Sequence, residues 1–315
     1  MNNPYPYTED NKRYQTWNYY TKSHYGSRLY KVPLDGGFTC PNRDGKVSTG
    51  GCVFCSGGSN SFPDISSSDI YQQYKERRKV FTRKWPEGKP LAYFQSYTNT
   101  YGPLERLKEL YQPFIDDPEI AGLVIATRSD CLSDEVIEYL QSLTKIKDIW
   151  LELGLQSIHD VTLREMNRGH DYRNFLDAID RLKNTDIKIS VHIIDGWPNE
   201  TEEMMMETAK AVGRLPVHAV KIHMLHVLKN TALGTMYEIR PFPLLSKREY
   251  TELVARQLTY LNPEMVIERI TGDGLPDQLI APLWTVKKIS VINDIDKAMV
   301  RFDLWQGKNY EPPED

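Results

Sequence analysis

The stretch IKISVHII, residues 187–194, alternates apolar and polar side chains along most of its length. Successive side chains of a β-strand point to opposite faces, so the apolar residues at 187, 189, 191 and 193 share one face. Ser190 and His192 lie on the other face. Polar residues on one face suit a strand that lines the interior of a barrel and approaches a ligand. We therefore expect this strand to belong to a barrel.

Six other runs rich in apolar and β-branched residues occur along the chain, and segments with helical periodicity separate them. These runs comprise residues 28–34, 91–95, 121–127, 149–156, 219–225 and 264–270. After the first gap, the runs begin roughly 30 residues apart with two longer intervals, as strand–helix units require. The alternation predicts a parallel α/β sheet with helices outside it and right-handed connections. An open doubly wound sheet and a full or partial barrel both satisfy it, and residues 187–194 favour the partial barrel.

Four of the intervening helices have recognisable first residues. Ser133 and Asp171 are predicted N-caps, because their side chains can accept hydrogen bonds from N–H groups of the first helical turn. Residues 200–203 are predicted to open a third helix, and Ser246 a fourth that continues through Tyr260. These signals place a helix after each of several predicted strands, as the α/β interpretation requires.

The composition is typical of a globular protein with a large core. The chain has 315 residues, of which 40% are apolar, and a formal net charge of −4. A nucleic-acid partner would therefore have to be held by a local basic patch. No stretch approaches the roughly 18 apolar residues of a membrane helix, and the first residues lack the apolar segment of a signal peptide. We expect a protein of the reducing cytoplasm that does not contact a membrane.

Three of the four cysteines are crowded into one loop, CPNRDGKVSTGGCVFC, between residues 40 and 55. Cys40, Cys52 and Cys55 have the spacing C-x11-C-x2-C, and Gly50 and Gly51 allow the backbone to turn tightly between them. The loop follows the first predicted strand. Because the chemistry of α/β sheets and barrels lies at the carboxyl ends of the strands, a functional site is expected here.

Three thiolates leave several kinds of site open. A structural zinc site takes four protein ligands, whereas a catalytic zinc could use three and keep one open position. A [4Fe–4S] cluster normally takes four cysteines, so three would leave one iron free to bind a substrate or a cofactor. A redox-active thiol pair is the third alternative. Cys131, just past another strand, is either a fourth ligand or a small buried apolar residue.

A cysteine loop after strand one that ends in Cys-x-aromatic-Cys resembles the radical S-adenosylmethionine (radical SAM) enzymes. The long first spacing resembles the branch of the Elongator catalytic subunit, as do the motifs ELGLQS (152–157), NRGH (167–170) and HIIDGWPNET (192–201). Within this branch the chain is most similar to the bacterial MnmL-type (YtqA- and YhcC-like) tRNA wobble-uridine modification proteins, which share CPNRDG, KIH-x-LHVLK and an ITGDG-like segment. The resemblance covers about residues 28–285.

The resemblance implies a partial (β/α)6-type TIM barrel, the radical SAM core, over residues 28–285. Residues 1–27 would form an aromatic and basic N-terminal extension, and residues 286–315 a C-terminal extension. It further implies that Cys40, Cys52 and Cys55 hold a [4Fe–4S] cluster whose open iron binds S-adenosylmethionine. One-electron reduction would then release methionine and a 5′-deoxyadenosyl radical, which takes a hydrogen atom from the substrate.

The resemblance also places further site residues. The expected contacts to S-adenosylmethionine are Gln95, Ser96, Gln156, Arg168, His170, Ile194 and Gly196. For Gln156, Arg168 and His170, helix capping or loop tethering is the alternative. Four residues at or beyond the carboxyl ends of strands six and seven are candidate catalytic residues, and a cation among them could pair with a carboxylate or phosphate of the substrate. They are His226, Lys229, Arg269 and Asp273.

The MnmL-type resemblance implies a tRNA substrate, with 5-carboxymethylaminomethyluridine at the wobble position converted to 5-aminomethyluridine. The base would be reached in the anticodon loop, and a low-potential donor such as flavodoxin or ferredoxin would supply the electron. Residues 75–89 carry seven basic and two acidic residues, and residues 1–27 could stack unpaired bases or form a lid. A second basic set lies near the C-terminus: Lys287, Lys288, Lys297, Arg301 and Lys308. A small-molecule substrate such as a tetrapyrrole precursor, or a non-catalytic metal- or RNA-binding module, remains an alternative.

Overall fold

The computed structural model describes residue 5 and residues 12–56, 69–272, 274 and 276–313. Nine strands lie within these ranges. They are β1 (Leu29–Leu34), β2 (Lys89–Phe94), β3 (Gly122–Thr127), β4 (Asp148–Gln156), β5 (Lys188–Asp195), β6 (Ala219–Met224), β7 (Val227–Leu228), β8 (Val266–Arg269) and β9 (Leu279–Ala281). Each of the seven predicted runs overlaps one of the longer strands, with bounds that differ by at most two residues at either end.

Seven strands form one parallel sheet in the order β1-β2-β3-β4-β5-β6-β8. The order follows the chain, so each connection brings the next strand to the same edge of the growing sheet. The sheet curls into a half-barrel with β1 and β8 as its two end strands, and this confirms the predicted partial barrel. The short strands β7 and β9 pair antiparallel beside it.

Ten α-helices are present in the described ranges. They are α1 (Trp17–Tyr25), α2 (Ile70–Lys84), α3 (Leu104–Asp116), α4 (Asp134–Leu143), α5 (Asp160–Glu165), α6 (Tyr172–Leu182), α7 (Glu202–Gly213), α8 (Ala232–Ile239), α9 (Lys247–Gln257) and α10 (Lys288–Arg301). None of those helices is both long and apolar enough to cross a membrane.

The predicted caps form through local hydrogen bonds. Ser133 accepts from the backbone N–H of Val136, and Ser246 forms a reciprocal capping box with Glu249. Asp171 likewise caps α6. The third helix starts later than predicted, because Thr201 is its N-cap and α7 begins at Glu202.

The described part of the aromatic N-terminal extension packs at the amino-terminal end of the barrel. Trp150 of β4 is fully buried there, and the rings of Trp17 and Tyr20 contact it edge-on, with centroids 5.2 and 6.1 Å away. A β-bridge joins Thr16 to Ile267 of β8. Residues 16–25 therefore close the end of the barrel opposite the cysteine loop.

Candidate active site

The cysteine loop folds over the carboxyl end of β1 through its glycines. Gly50 and Gly51 have φ angles of +80° and +83°, a region that disfavours residues with a Cβ. The N–H of Gly51 donates to the carbonyl of Asn42 at 2.8 Å, and the N–H of Cys55 donates to the carbonyl of Cys52 at 2.9 Å. The predicted tight turn thus brings the two ends of the loop together.

The segment NRGH, residues 167–170, supports this loop from the side. The Asn167 amide donates to the carbonyl of Gly51 at 2.8 Å, and the Ser48 hydroxyl donates to the Asn167 side chain at 3.3 Å. The N–H of Val53 also donates to the carbonyl of Met166 at 3.0 Å. The loop is held by side chains as well as backbone, so its cysteines have defined positions.

Cys40, Cys52 and Cys55 line one cavity of about 370 Å³ at the carboxyl ends of the strands. Cys131 is not part of this lining. Burial, assisted by the neighbouring Asp130 carboxylate, raises the pKa of the Cys131 thiol to about 12. Cys131 is therefore a neutral thiol outside the cavity. The other three cysteines lie together, as the loop spacing predicts.

The three cysteines of the loop share one cavity. Among the residues that the structure describes, no three His, Cys, Asp or Glu side chains converge closely enough to hold one metal ion. Thiolates that share one zinc ion each lie about 2.3 Å from it. A [4Fe–4S] cluster binds each cysteine at a different iron, so its ligands surround a larger volume. Three thiols around one cavity fit a [4Fe–4S] cluster that is bound at three of its irons.

Several buried polar atoms at this cavity lack a hydrogen-bond partner within the described ranges. They include Oε1 of Gln156 and Nη1 of Arg128, and both residues line the cavity. Buried polar atoms are normally paired with protein or with ligand. These unpaired atoms therefore fit a ligand with its own donors and acceptors, such as the amino, carboxylate and ribose groups of S-adenosylmethionine.

His170 contacts Arg168 and does not line the cavity. Nη2 of Arg168 donates to Nε2 of His170 at 3.2 Å, and Nδ1 of His170 lies 3.3 Å from the carbonyl of Asp171. Burial and the guanidinium of Arg168 lower the pKa of His170 to about 3. The imidazole is therefore neutral at physiological pH and can accept the bond from the arginine.

A buried network of charges fills the barrel below the cavity. Nζ of Lys31 lies 2.7 Å from Oε1 of Glu152, whose other oxygen accepts from the Tyr93 hydroxyl at 2.6 Å. Lys221 also contacts Glu152, and Glu268 accepts from Lys31. Burial opposes ionisation of Glu152, but the ammonium groups of Lys221 and Lys31 outweigh it and hold its pKa well below the ordinary value.

The sequence motifs did not predict this network. A signal was available, because each of the four ionic members is a charged residue within a largely apolar strand. Lys31 lies in LYKVPL, Glu152 in DIWLELGLQ, Lys221 in AVKIHM and Glu268 in VIER. Charged residues are rarely buried unless they are paired, so four such strands point to an interior ion-pair cluster.

His192 and His223 lie side by side above this network and line the cavity. Their ring centroids are 4.0 Å apart, and neither Nε2 atom has a hydrogen-bond partner in the described structure. Burial and the Lys221 ammonium lower the pKa of His192 to about 3, and burial holds that of His223 well below its usual value. The pair therefore presents neutral imidazoles to whatever occupies the cavity.

A second cavity, of about 520 Å³, follows the open side of the half-barrel along β1 and β8. Aromatic rings of α1, α2 and β1 line it: Trp17, Tyr30, Phe81 and Trp85. It shares part of its lining with the first cavity: Tyr93, Gln95, Lys221, His223 and Arg269. The two cavities are therefore neighbouring compartments of one interior.

The structure brings most of the expected cofactor contacts together. The first cavity is lined by Gln95, Gln156, Arg168 and Ile194. Ser96 is buried, and its carbonyl accepts from the Asn99 amide at 3.1 Å. Gly196 has a φ of +95° and packs against Leu245.

The candidate catalytic residues are dispersed. Arg269 lines both cavities and His226 lines the second. Lys229 is exposed, lies outside the lining of both cavities, and donates to the carbonyl of Asp277 at 3.0 Å. Asp273 lies outside the described residues.

Asp195 ends β5 beside Gly196 and is buried in the barrel wall. One carboxylate oxygen accepts from the Gln257 amide at 2.8 Å, and the other has no partner within the described ranges. Burial raises the pKa of Asp195 to about 8, against the lowering effect of the Gln257 hydrogen bond. The neighbouring Glu200 accepts from Ser157, and burial raises its pKa as well.

Asp195→Asn should remove a pH dependence of stability. The folded pKa of Asp195 is raised, so the folded chain retains a proton that the unfolded chain loses, and stability falls as the pH rises from about 4 to about 8. The lowered pKa values of His170 and His192 make stability rise with pH, but only below about pH 6.5, where the unfolded histidines are protonated. Urea unfolding of the unmodified protein between pH 6.5 and 8 should therefore show the free energy of unfolding fall by up to about 1.4 kcal/mol per pH unit. Asp195→Asn should lack this fall.

The surface variant Asp180→Asn, on an exposed residue of α6, is the control for that measurement and should retain the slope of the unmodified protein. Identical slopes for the unmodified protein and Asp195→Asn would show that Asp195 is ionised when buried.

Comparison with known proteins agrees with this geometry. Residues 43–212 match the profile of the radical SAM superfamily, and residues 217–301 match that of the Radical_SAM C-terminal domain. The chain is 43% identical over 312 residues to the uncharacterized protein YtqA of Bacillus subtilis, covering 99% of this chain and 97% of that protein. It is 29% identical over 155 residues to a tRNA uridine(34) acetyltransferase of Methanocaldococcus infernus, covering 48% of this chain and 28% of that protein.

Among solved structures, the fold is similar to that of the archaeal Methanocaldococcus infernus Elp3. The TM-score is 0.67 with 19% sequence identity, over 89% of this chain and 64% of that one.

A curled parallel half-barrel with three cysteines at its mouth defines the class of enzyme to which this protein is assigned. The chain belongs to the radical SAM superfamily. Its cofactors are accordingly a [4Fe–4S] cluster and S-adenosylmethionine.

Proposed function

We propose that this protein modifies the wobble uridine of tRNA, converting 5-carboxymethylaminomethyluridine to 5-aminomethyluridine. The observation that carries the proposal is the continuity of the two cavities, since a radical generated beside the cysteines needs direct access to its substrate. The larger cavity is rich in aromatic rings and cations, which suits a nucleobase with an acidic substituent. A relative named for uridine 34 of tRNA supports the same substrate class.

In this proposal Cys40, Cys52 and Cys55 hold the cluster. When bound, the cluster and S-adenosylmethionine together supply a radical that takes a hydrogen atom from substrate. Gln95, Gln156 and Ile194 line the same cavity and would hold the polar and apolar parts of S-adenosylmethionine. The barrel wall and the cysteine loop around them would exclude water from this compartment.

The substrate chemistry follows from the glycine-like methylene of the carboxymethylaminomethyl group. This methylene would lose a hydrogen atom, and the resulting radical would lose an electron and the proton on its nitrogen, leaving an imine. Water would cleave the imine into the aminomethyl group of the uridine and free glyoxylate. Both electrons end on S-adenosylmethionine, as methionine and 5′-deoxyadenosine. Because the substrate would supply both electrons, a one-electron donor such as flavodoxin or ferredoxin would be needed only to reduce the cluster before the first turnover.

Lys221 and Arg269 are the cations that line both compartments. A carboxylate that reached this position could form a charge-assisted hydrogen bond with either side chain. The neutral imidazoles of His192 and His223 beside them offer hydrogen bonds without adding charge. This polar end of the joined cavities is where the carboxymethyl group of the substrate would lie.

The basic segment 75–89 offers fewer free cations than its sequence indicates. Arg77 is buried and donates to the carbonyl of Pro33 at 2.6 Å, and Arg78 pairs with Glu119 at 2.6 Å. Lys75 and Arg83 remain on the exposed face of α2 and line a shallow surface hollow. We assign the tRNA phosphate contacts to this face of α2.

Mass spectrometry of tRNA nucleosides tests the proposal. Cells without this protein should accumulate 5-carboxymethylaminomethyluridine, and their tRNA should serve as substrate for the purified, anaerobically reconstituted protein. With dithionite and S-adenosylmethionine, we expect 5-aminomethyluridine, glyoxylate and 5′-deoxyadenosine in equal amounts. Control tRNA with an unmodified uridine 34 should yield no glyoxylate.

Two results would contradict the tRNA assignment. Unchanged tRNA nucleosides together with 5′-deoxyadenosine formation would indicate a small-molecule substrate. A reconstituted cluster that forms no 5′-deoxyadenosine would indicate a binding module.

A further inference from the structure

The sulfur of Cys52 receives a hydrogen bond from a buried cation. Nη1 of Arg168 lies 3.3 Å from Sγ of Cys52, and Nδ2 of Asn42 lies 3.6 Å from the same sulfur. Arg168 is 6% exposed and Asn42 is fully buried. Within the described chain, neither Cys40 nor Cys55 has a charged side-chain donor at its sulfur. The three cysteines of the loop are therefore electrostatically unequal.

The guanidinium of Arg168 is fixed in this position by other bonds. Nη2 donates to the carbonyl of Gly154 at 2.6 Å and to Nε2 of His170 at 3.2 Å. His170 can accept this bond because its imidazole is neutral. With Nη2 held by β4 and by the NRGH segment, Nη1 is directed at the sulfur. A side chain held in this way is poorly placed to move and bind the carboxylate of S-adenosylmethionine.

We propose that Arg168 sets the reduction potential of the cluster, acting through the thiolate of Cys52. A cluster bound by three thiolates gains one negative charge when a low-potential flavoprotein or iron–sulfur protein donates an electron to it. The change is [4Fe–4S]²⁺ to [4Fe–4S]⁺, and no other bond or proton need change. A buried positive charge at one thiolate stabilises the more negative, reduced form, because the surrounding dielectric is low.

This role differs from the contact to S-adenosylmethionine that the resemblance implies for Arg168. In this role Arg168 acts on the cluster through the sulfur of Cys52 and does not contact the substrate. The inference depends on the cofactor of the superfamily and is independent of the tRNA substrate. Failure of the tRNA assay would therefore leave it intact.

A redox titration of the reconstituted protein, followed by the electron paramagnetic resonance signal of the reduced cluster, tests the inference. The titration is done without S-adenosylmethionine, so a role in cosubstrate binding cannot move the result. Arg168→Gln should lower the ratio of reduced to oxidised cluster about tenfold at a fixed ambient potential, which is about 59 mV for a one-electron couple. Arg168→Lys retains the charge without the three-way contact and should give a smaller shift in the same direction.

Arg43→Gln is the matched control, since it removes one positive charge from the same cavity. Nη2 of Arg43 donates to the carbonyl oxygen of Cys55 at 3.1 Å instead of to a sulfur. The reduction potential of the cluster in Arg43→Gln should stay close to that in the unmodified protein. Equal shifts in Arg43→Gln and Arg168→Gln would overturn the specific role of the sulfur contact.

Iron content and circular dichroism are measured for each variant before titration. If Arg168→Gln fails to retain its cluster, Arg168→Lys carries the test, and its potential should still be lower than that of the unmodified protein. If the Arg168 variants have unchanged reduction potentials and bind S-adenosylmethionine more weakly, Arg168 is a contact of S-adenosylmethionine and the proposal is refuted.

Discussion

Cys52→Ala is expected to abolish cluster assembly and 5′-deoxyadenosine formation. With three cysteines on one cavity and one iron reserved for the cosubstrate, loss of one thiolate leaves two protein ligands for four irons. Anaerobic reconstitution should load about four irons per chain in the unmodified protein and close to none in the variant. The same result is expected for Cys40→Ala and Cys55→Ala.

Cys131→Ala is the control, because it makes the same substitution at the remaining cysteine. Burial keeps this thiol protonated, and it lies outside the cavity lining. The variant should load iron and form 5′-deoxyadenosine like the unmodified protein. Loss of the cluster in Cys131→Ala, or its retention in Cys52→Ala, would refute the three-cysteine assignment.

Glu152→Gln is expected to destabilise the fold by about 3–5 kcal/mol, the usual cost of removing one partner from a buried ion pair. The carboxylate of Glu152 receives bonds from Lys31, Lys221 and the Tyr93 hydroxyl, and its side chain is 5% exposed. Without its charge, Glu268 would be the remaining carboxylate of the network for two buried ammonium groups. Urea unfolding at neutral pH measures the change in the free energy of unfolding.

Glu105→Gln removes the same charge from the surface of α3. Glu105 is largely exposed and pairs with Lys108 one helical turn away, so the expected loss is at most about 0.5 kcal/mol. Losses of similar size in the two variants would show that the interior network does not stabilise the barrel as an ion-pair cluster.

The local features of the fold could be read from the sequence because each depends on neighbouring residues. Ser133 and Asp171 cap their helices through N–H groups three positions further on. The alternation in residues 187–194 correctly placed Ser190 and His192 on the inner face, where Ser190 is buried and His192 lines the first cavity. Glu200 shows where this reasoning fails, since Thr201 caps the helix and the side chain of Glu200 accepts a hydrogen bond from the distant Ser157.

The sequence by itself determined the alternation of strands and helices and the three-cysteine loop, and it favoured the partial barrel over an open sheet. Only the tertiary structure decided which buried charges meet, as Lys31, Glu152, Lys221 and Glu268 come from four separate strands. Arg168 and Cys52, which are 116 positions apart, are a second example. The physical reason is range: periodicity reports which face of an element is buried, whereas hydrogen bonds and ion pairs form only within about 3 Å and depend on how the elements pack.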